Sequence, residues 1–80
     1  MQVNDAIRAI VQASGLSLRG VSERMGKKPT LVSSALQNKD KQASLLAGIA
    51  AACGYALALV PVDQLPDGAV VIDAPSREVD

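Results

Sequence analysis

LSLRGVSERMGKKPTLVSSAL, spanning Leu16 to Leu36, divides into two short helical patterns around a glycine. Ser17 is placed to cap the first helix, its hydroxyl satisfying one of the amides that the opening turn leaves without a partner. Leu18, Val21 and Met25 recur at i, i+3 and i+7 and make one apolar stripe. Ser22, on the same side, has almost no side chain, which suits a point where two helix axes cross. Gly20 costs a helix roughly 1 kcal/mol relative to alanine, and close approach of a neighbouring backbone is the expected reason for it. Gly26 fits the position after a helix end, where positive φ favours glycine. Pro29 falls where a new helix would begin, and its missing amide proton has no partner to lose there.

The second helix is expected from about Pro29 to Gln37. Leu31, Val32, Ala35 and Leu36 point inward, and Thr30, Ser33, Ser34 and Gln37 point outward. A solvated helix face usually favours Glu, Lys and Ala, which have high helix propensity. This face is instead short, polar and uncharged, so it can approach base edges closely, and its hydroxyls and amide both donate and accept hydrogen bonds. Two helices, a glycine turn and such a face make the geometry of a helix-turn-helix.

On these residues the segment resembles the helix-turn-helix of the lambda-repressor/Cro-like (Xre-type) DNA-binding family, over about Asp5 to Tyr55. The matching features are the lead-in Gly15, Leu16 and Ser17, the small Ser22, the turn glycine Gly26, Val32 with Ser33 beside it, and a fourth helix ending at Gly54. Two positions depart from the family pattern. Leu18 stands where the family often has a phosphate-holding glutamine, and Lys27 stands where an apolar residue usually follows the turn glycine. The resemblance implies a mainly α fold, a four-helix domain over residues 1–54, and double-stranded DNA as ligand.

Eighty residues make one domain near the lower size at which a single core suffices. Support from oligomerisation is a reasonable expectation. Nearly half the residues are apolar, yet Tyr55 is the only aromatic. The core must therefore be aliphatic, and stacking platforms for single-stranded nucleic acid are missing. Cys53, alone of its kind, has no partner for an intrachain disulfide and reads as a small buried hydrophobe. With no histidine and no cysteine pair, neither a metal nor any other cofactor is expected. No apolar run suggests a signal peptide or a membrane span, so a cytoplasmic, nucleoid-associated location is expected.

The net charge of zero conceals a division along the chain. Residues 1–41 carry seven Lys and Arg against three acids, +4, whereas residues 42–80 carry one against five, −4. A polyanion is drawn to the first half and repelled by the second. Lys27, Lys28, Lys39 and Lys41 flank the second helix of the motif on both sides, a placement suited to phosphate contact.

Around the motif, the first helix is expected to start at a cap of Asn4 or Asp5, bury Val3, Ile7, Ile10 and Val11, and end at Gly15. Asn38 suits the left-handed conformation at a helix end. A fourth helix, about Ala43 to Cys53, would bury Leu45, Leu46, Ile49, Ala50 and Cys53, with Gly48 allowing close packing. YALALVPV, Tyr55 to Val62, then reads as a strand, DQLPDG as a turn, and AVVID, Ala69 to Asp73, as the returning strand. This β-hairpin, residues 55–74, is apolar on both faces and marginal alone. Joined to a second copy it would form a four-stranded intersubunit sheet through Tyr55, Leu57, Leu59, Val60, Val70, Val71 and Ile72. Residues 75–80 read as a disordered polar tail.

The expected function is sequence-specific DNA binding by a small homodimeric transcriptional regulator of bacterial or phage type, acting as a repressor on a palindromic site. Lys28, Thr30, Ser33, Ser34 and Gln37 are the candidate base readers, Lys28 suited to guanine and Gln37 to adenine. Ser17, Arg19, Lys27, Asn38, Lys39 and Lys41 are the candidate phosphate contacts. The alternative is a protein-interaction module, such as an antitoxin or a mobile-element inhibitor of a host defence complex, related to anti-CRISPR systems, with the apolar hairpin seated on a protein partner. An enzyme is not expected: no nucleophile and base pair, no paired buried carboxylates and no phosphate-cradling loop is evident, and Ser33 and Ser34 have no histidine to activate them.

Overall fold

A computed structural model describes residues 1–38 and 41–73 of the chain. Its elements in order are α1 (Val3–Ser14), α2 (Leu18–Arg24), α3 (Leu31–Ala35), α4 (Ala43–Ala52) and a 3₁₀ turn over Val62–Gln64. Ile7, Val21, Val32 and Ile49, one from each helix, are completely shielded from solvent. Burying a side chain of this kind contributes roughly 1.5–3 kcal/mol, so each helix is fastened to the common core by at least one aliphatic anchor. Partly buried Leu16, Leu18, Met25, Leu45 and Leu46 pack around these anchors.

α1 begins earlier than the sequence suggests. Gln2 precedes the helix in extended conformation without a side-chain cap, and Ala6 donates its amide to the Gln2 carbonyl at 2.9 Å. Asn4 therefore lies inside the first turn, and its side chain serves another element, described below. At the other end Gly15, with φ of 78°, stops the helix where expected.

Ser17 caps α2, its Oγ accepting the Gly20 amide at 2.9 Å. A Cβ at Gly20 would lie 3.2 Å from that same Oγ and against Leu16, so the cap and its neighbour fill the space. The expected approach of a neighbouring backbone is not what occupies it. After α2 the Gly26 amide donates to Glu23 O at 2.9 Å and the Lys27 amide to Ser22 O at 3.1 Å, with Gly26 at φ of 74°. These two bonds are the Schellman closure, which requires a left-handed residue.

α3 is shorter than the expected Pro29–Gln37. Pro29 and Thr30 form a turn closed by the Leu31 amide on Lys28 O at 3.0 Å, and helical geometry starts only at Leu31. Proline at the second position of such a turn is favourable for the same fixed φ that suits a helix start, and here the turn prevails. At the far end the bonds Gln37 N to Ser34 O and Asn38 N to Ala35 O, 3.1 and 3.2 Å, tighten the chain into i→i+3 spacing. Asn38 does not take the left-handed conformation expected of it; among the described residues only glycines have positive φ.

α4 runs across α1 and α2. Ile49, Ala50 and Cys53 are buried, and Leu45 and Leu46 are half-buried rather than enclosed. Gly48 permits the packing: a Cβ there would meet the terminal methyl of Met25 at 3.2 Å.

Beyond Gly54 no strand of the expected β-hairpin, residues 55–74, forms among the described residues, which end at 73. Its turn does form: Ala69 donates to Pro66 O at 3.3 Å, with Gly68 at φ of 84°. Its strands do not pair. Val62, expected to end the first strand, instead opens a 3₁₀ turn after Pro61, closed by Gln64 N on Pro61 O at 2.9 Å. Tyr55 and Val70 alone of the seven expected interface residues are partly buried, packed on the helical core. Residues 75–80, expected as a tail, lie outside the described residues.

Candidate nucleic-acid interface

The α2–turn–α3 unit is held in one geometry by a side chain in its interior. Ser22 is fully buried; its hydroxyl donates to Leu18 O at 2.9 Å and accepts the Val32 amide at 3.0 Å. The amides of a helix's first turn have no intrahelical partner. Ser22 supplies one for α3, from the helix it crosses.

A second cross-chain tie fixes the other end. Asn4 Nδ2, from α1, donates to Leu36 O and to Asn38 O, both at 3.1 Å. These carbonyls follow α3, where the last C=O groups of a helix are left without intrahelical donors. With both protons so used, Asn4 Oδ1 is buried without a partner among the described residues. α3 is therefore secured at its start by Ser22 and past its end by Asn4. Sequence reasoning identified Ser22 only as a small residue and assigned Asn4 to the wrong helix end. A buried hydroxyl ten residues ahead of the amide it accepts leaves no periodic signal.

The face so positioned matches the expected one. Val32 and Ala35 are buried and Leu31 and Leu36 half-buried, while Lys28, Thr30, Ser33, Ser34 and Gln37 are exposed. Ser33 Oγ donates to Thr30 O at 3.0 Å, which leaves its oxygen free to accept. Residues 24–38 contain no carboxylate. Lys27 and Lys28 are exposed on the turn and enter no ion pair among the described residues. Ser17 and Asn38 are exposed as well.

Two of the expected phosphate contacts stand differently. Arg19 Nε lies 3.3 Å from Glu23 Oε2, an exposed i,i+4 pair along α2, so its charge is shared with a local acid. Lys41 is half-buried, and its ammonium donates to Asn38 O, the carbonyl that Asn4 also holds. Lys41 and Asn4 thus share one acceptor. Lys39 lies outside the described residues. Arg24 and Lys27 together line a cleft of about 690 Å³ against α4, with Ser44 and Leu45.

Cys53 is buried, and that burial raises its thiol above the ordinary value of 9.0, against the opposing influence of a hydrogen bond with Ser14 and the charge of Arg24. Such a thiol is a packing group rather than a nucleophile. Among the described residues no three His, Cys, Asp or Glu side chains gather to hold a metal ion, and no helix is long and apolar enough to cross a membrane.

Comparison of the chain with protein-family models, with curated proteins and with solved structures yields no match.

Proposed function

We propose that the chain is a small sequence-specific DNA-binding protein of the Xre/Cro-like helix-turn-helix kind, a bacterial- or phage-type transcriptional regulator acting as a homodimer. The observation that carries this reading is the surface from Lys27 to Gln37. It is cationic at one end, uncharged and short-chained along α3, free of carboxylates throughout, and held by Ser22 and Asn4 at both ends. A preset helix with short polar side chains suits the major groove, where Lys28 can address guanine and Gln37 adenine, with Thr30, Ser33 and Ser34 completing the contact. Lys27, Ser17 and Asn38 then meet phosphates on either side. Arg19 joins them if it exchanges Glu23 for a phosphate, while Lys41 acts by holding the loop.

A twofold pair of such helices reads two half-sites about one helical turn apart, roughly 34 Å. The exposed apolar side chains of the C-terminal segment, Leu57, Leu59, Val60, Val71 and Ile72 among them, support a self-associating chain. As a repressor, the protein would respond to its own concentration, to competitors at the operator or to a protein partner.

The test is fluorescence anisotropy with the DNA upstream of the protein's own gene and a shuffled duplex, across a salt series. Tight binding to the first, weak binding to the second and a steep linear fall of log K with log salt are expected. Weak, equal binding to both duplexes would remove self-regulation; binding to no member of a randomised duplex library would remove DNA recognition altogether and leave the protein-interaction reading.

A further inference from the structure

Residues 55–61 and 69–73 follow α4 as two segments without regular structure, and both line a single apolar groove of about 550 Å³. Ile10, Leu46 and Ala50 of the helical core lie at its base. The segments are tied at their outer ends: Tyr55 donates to Ala50 O and Asp73 to Met1 O, each at 2.8 Å. In between, among the described residues, the amides of residues 56–60 and 70–72 donate no hydrogen bond. The helical core anchors two stretches of chain side by side, yet leaves a slot where their ladder would be. Leu59 is fully exposed, and Leu57, Val60, Val71 and Ile72 remain exposed beside it.

We propose that the slot is filled by residues 55–60 of a second copy of this chain, giving an interleaved dimer. This rests on the homodimer of the reading above, but not on DNA binding. The same segment lines the slot and carries the exposed leucines, so one twofold rotation that lays the partner's segment in this slot lays this chain's segment in the partner's. The resulting sheet runs returning segment, partner's first segment, own first segment, partner's returning segment. Every strand then bonds across the subunit boundary, and the two central strands are the two copies of residues 55–60. Hairpins each closed on themselves and joined edge to edge would give a different order, with the returning segment beside its own chain.

Two observations favour a second copy over a foreign peptide. Residues 54–62 hold no charge, so the slot offers nothing for an acidic or basic partner to pair with. Unbonded backbone amides are a template for a strand, and the chain supplies an apolar strand of matching length.

Disulfide mapping decides the strand order. In a Cys53→Ala background, Leu57→Cys or Leu59→Cys is placed in one tagged chain and Val71→Cys or Ile72→Cys in a second, the four pairings sampling both registers. The chains are co-expressed, oxidised mildly without DNA and resolved on a non-reducing gel, with helical circular dichroism confirming that each variant folds. A covalent heterodimer in at least one pairing is expected, and chains carrying both cysteines of that pairing should link between subunits. Intrachain linkage alone in the doubly substituted chains, dimerisation with no cross-link in any pairing, or sedimentation of the Cys53→Ala chain as a monomer at high concentration would each overturn the proposal. DNA-binding assays are read separately, so failure of one conclusion leaves the other intact.

Discussion

The hydroxyl of Ser22 accepts the amide proton of Val32 at 3.0 Å across the crossing of α2 and α3. Both residues are fully buried, so the bond is shielded from water. Removing the oxygen leaves a donor that water cannot reach, and the desolvation cost of such an orphan is roughly 1–3 kcal/mol. Ser22→Ala should therefore lower the melting temperature by about 4–8 °C for each kcal/mol lost in a domain of this size. Amide exchange at Val32 should accelerate more than at Ile49, which lies in another helix. A melting temperature unchanged within a degree would show that α3 is held by apolar packing alone.

Gly20 within α2 and Gly26 just after it should behave differently despite their closeness in sequence. Gly26 sits at φ of 74° with nothing near its missing Cβ, so alanine meets backbone strain and no clash. That strain costs roughly 1–2 kcal/mol. Gly20 is helical, and alanine would gain about 1 kcal/mol of propensity while pressing on the Ser17 Oγ that caps the helix. Gly26→Ala is expected to be clearly destabilising in urea melts and Gly20→Ala close to neutral. The reverse ranking would mean that the Ser17 cap matters more than the Schellman closure.

How much of this was legible in the sequence divides along a physical line. Features set by local chemistry could be read: the Ser17 cap, the positive φ of Gly26, and the alternation of Val32 and Ala35 with Ser33 and Ser34. Features set by contacts between distant segments could not. Asn4 has a residue type suited to a cap, and only the fold brings it to carbonyls 32 and 34 residues away. The C-terminal segment shows the same limit from the other side. Its apolar alternation signals strands, but a strand exists only once a neighbour accepts its hydrogen bonds, and within one described chain none does.

Asn4 supplies a prediction that separates positioning from contact. Asn4→Ala removes two hydrogen bonds to the carbonyls after α3 and frees Asn38 and Gln37 to move. The part-buried Leu36 carbonyl loses its partner while the exposed Asn38 carbonyl keeps the Lys41 ammonium, so a stability loss of roughly 1 kcal/mol is expected. Specific DNA affinity should fall in addition, with the salt slope unchanged because no cation has been removed. A shallower slope would place Asn4 among the phosphate contacts instead.

Cys53 makes the chain's alkaline stability partly its own. Burial raises the thiol above 9.0 in the folded state, so the unfolded chain loses this proton first as pH rises. Stability from the neutral thiol is complete below pH 9 and falls as pH climbs from there through the folded value. Urea midpoints should fall more steeply with rising pH above 9 for the native chain than for Cys53→Ala. A thiol-specific reagent should react at neutral pH only as fast as the chain opens. Rapid labelling of the folded protein would contradict the burial.

Lys27 and Lys28 lie beside each other on one turn, yet the proposed interface gives them different work. Lys27 meets a phosphate, so Lys27→Ala should weaken binding to every duplex alike and reduce the salt slope by about 1. Gln37, addressing a base edge, should do the opposite: Gln37→Ala costs roughly 1–3 kcal/mol on the preferred duplex, leaves shuffled DNA unaffected and relaxes selection at one base pair. Lys28 combines both properties, because a lysine at a guanine edge still carries charge into the field of the phosphates. Lys28→Ala should lower the slope and narrow the gap between preferred and shuffled duplex together. The comparison is an anisotropy salt titration of the three variants on both duplexes. If Gln37→Ala and Lys27→Ala prove indistinguishable there, α3 does not read bases, and the basic turn binds DNA through charge alone.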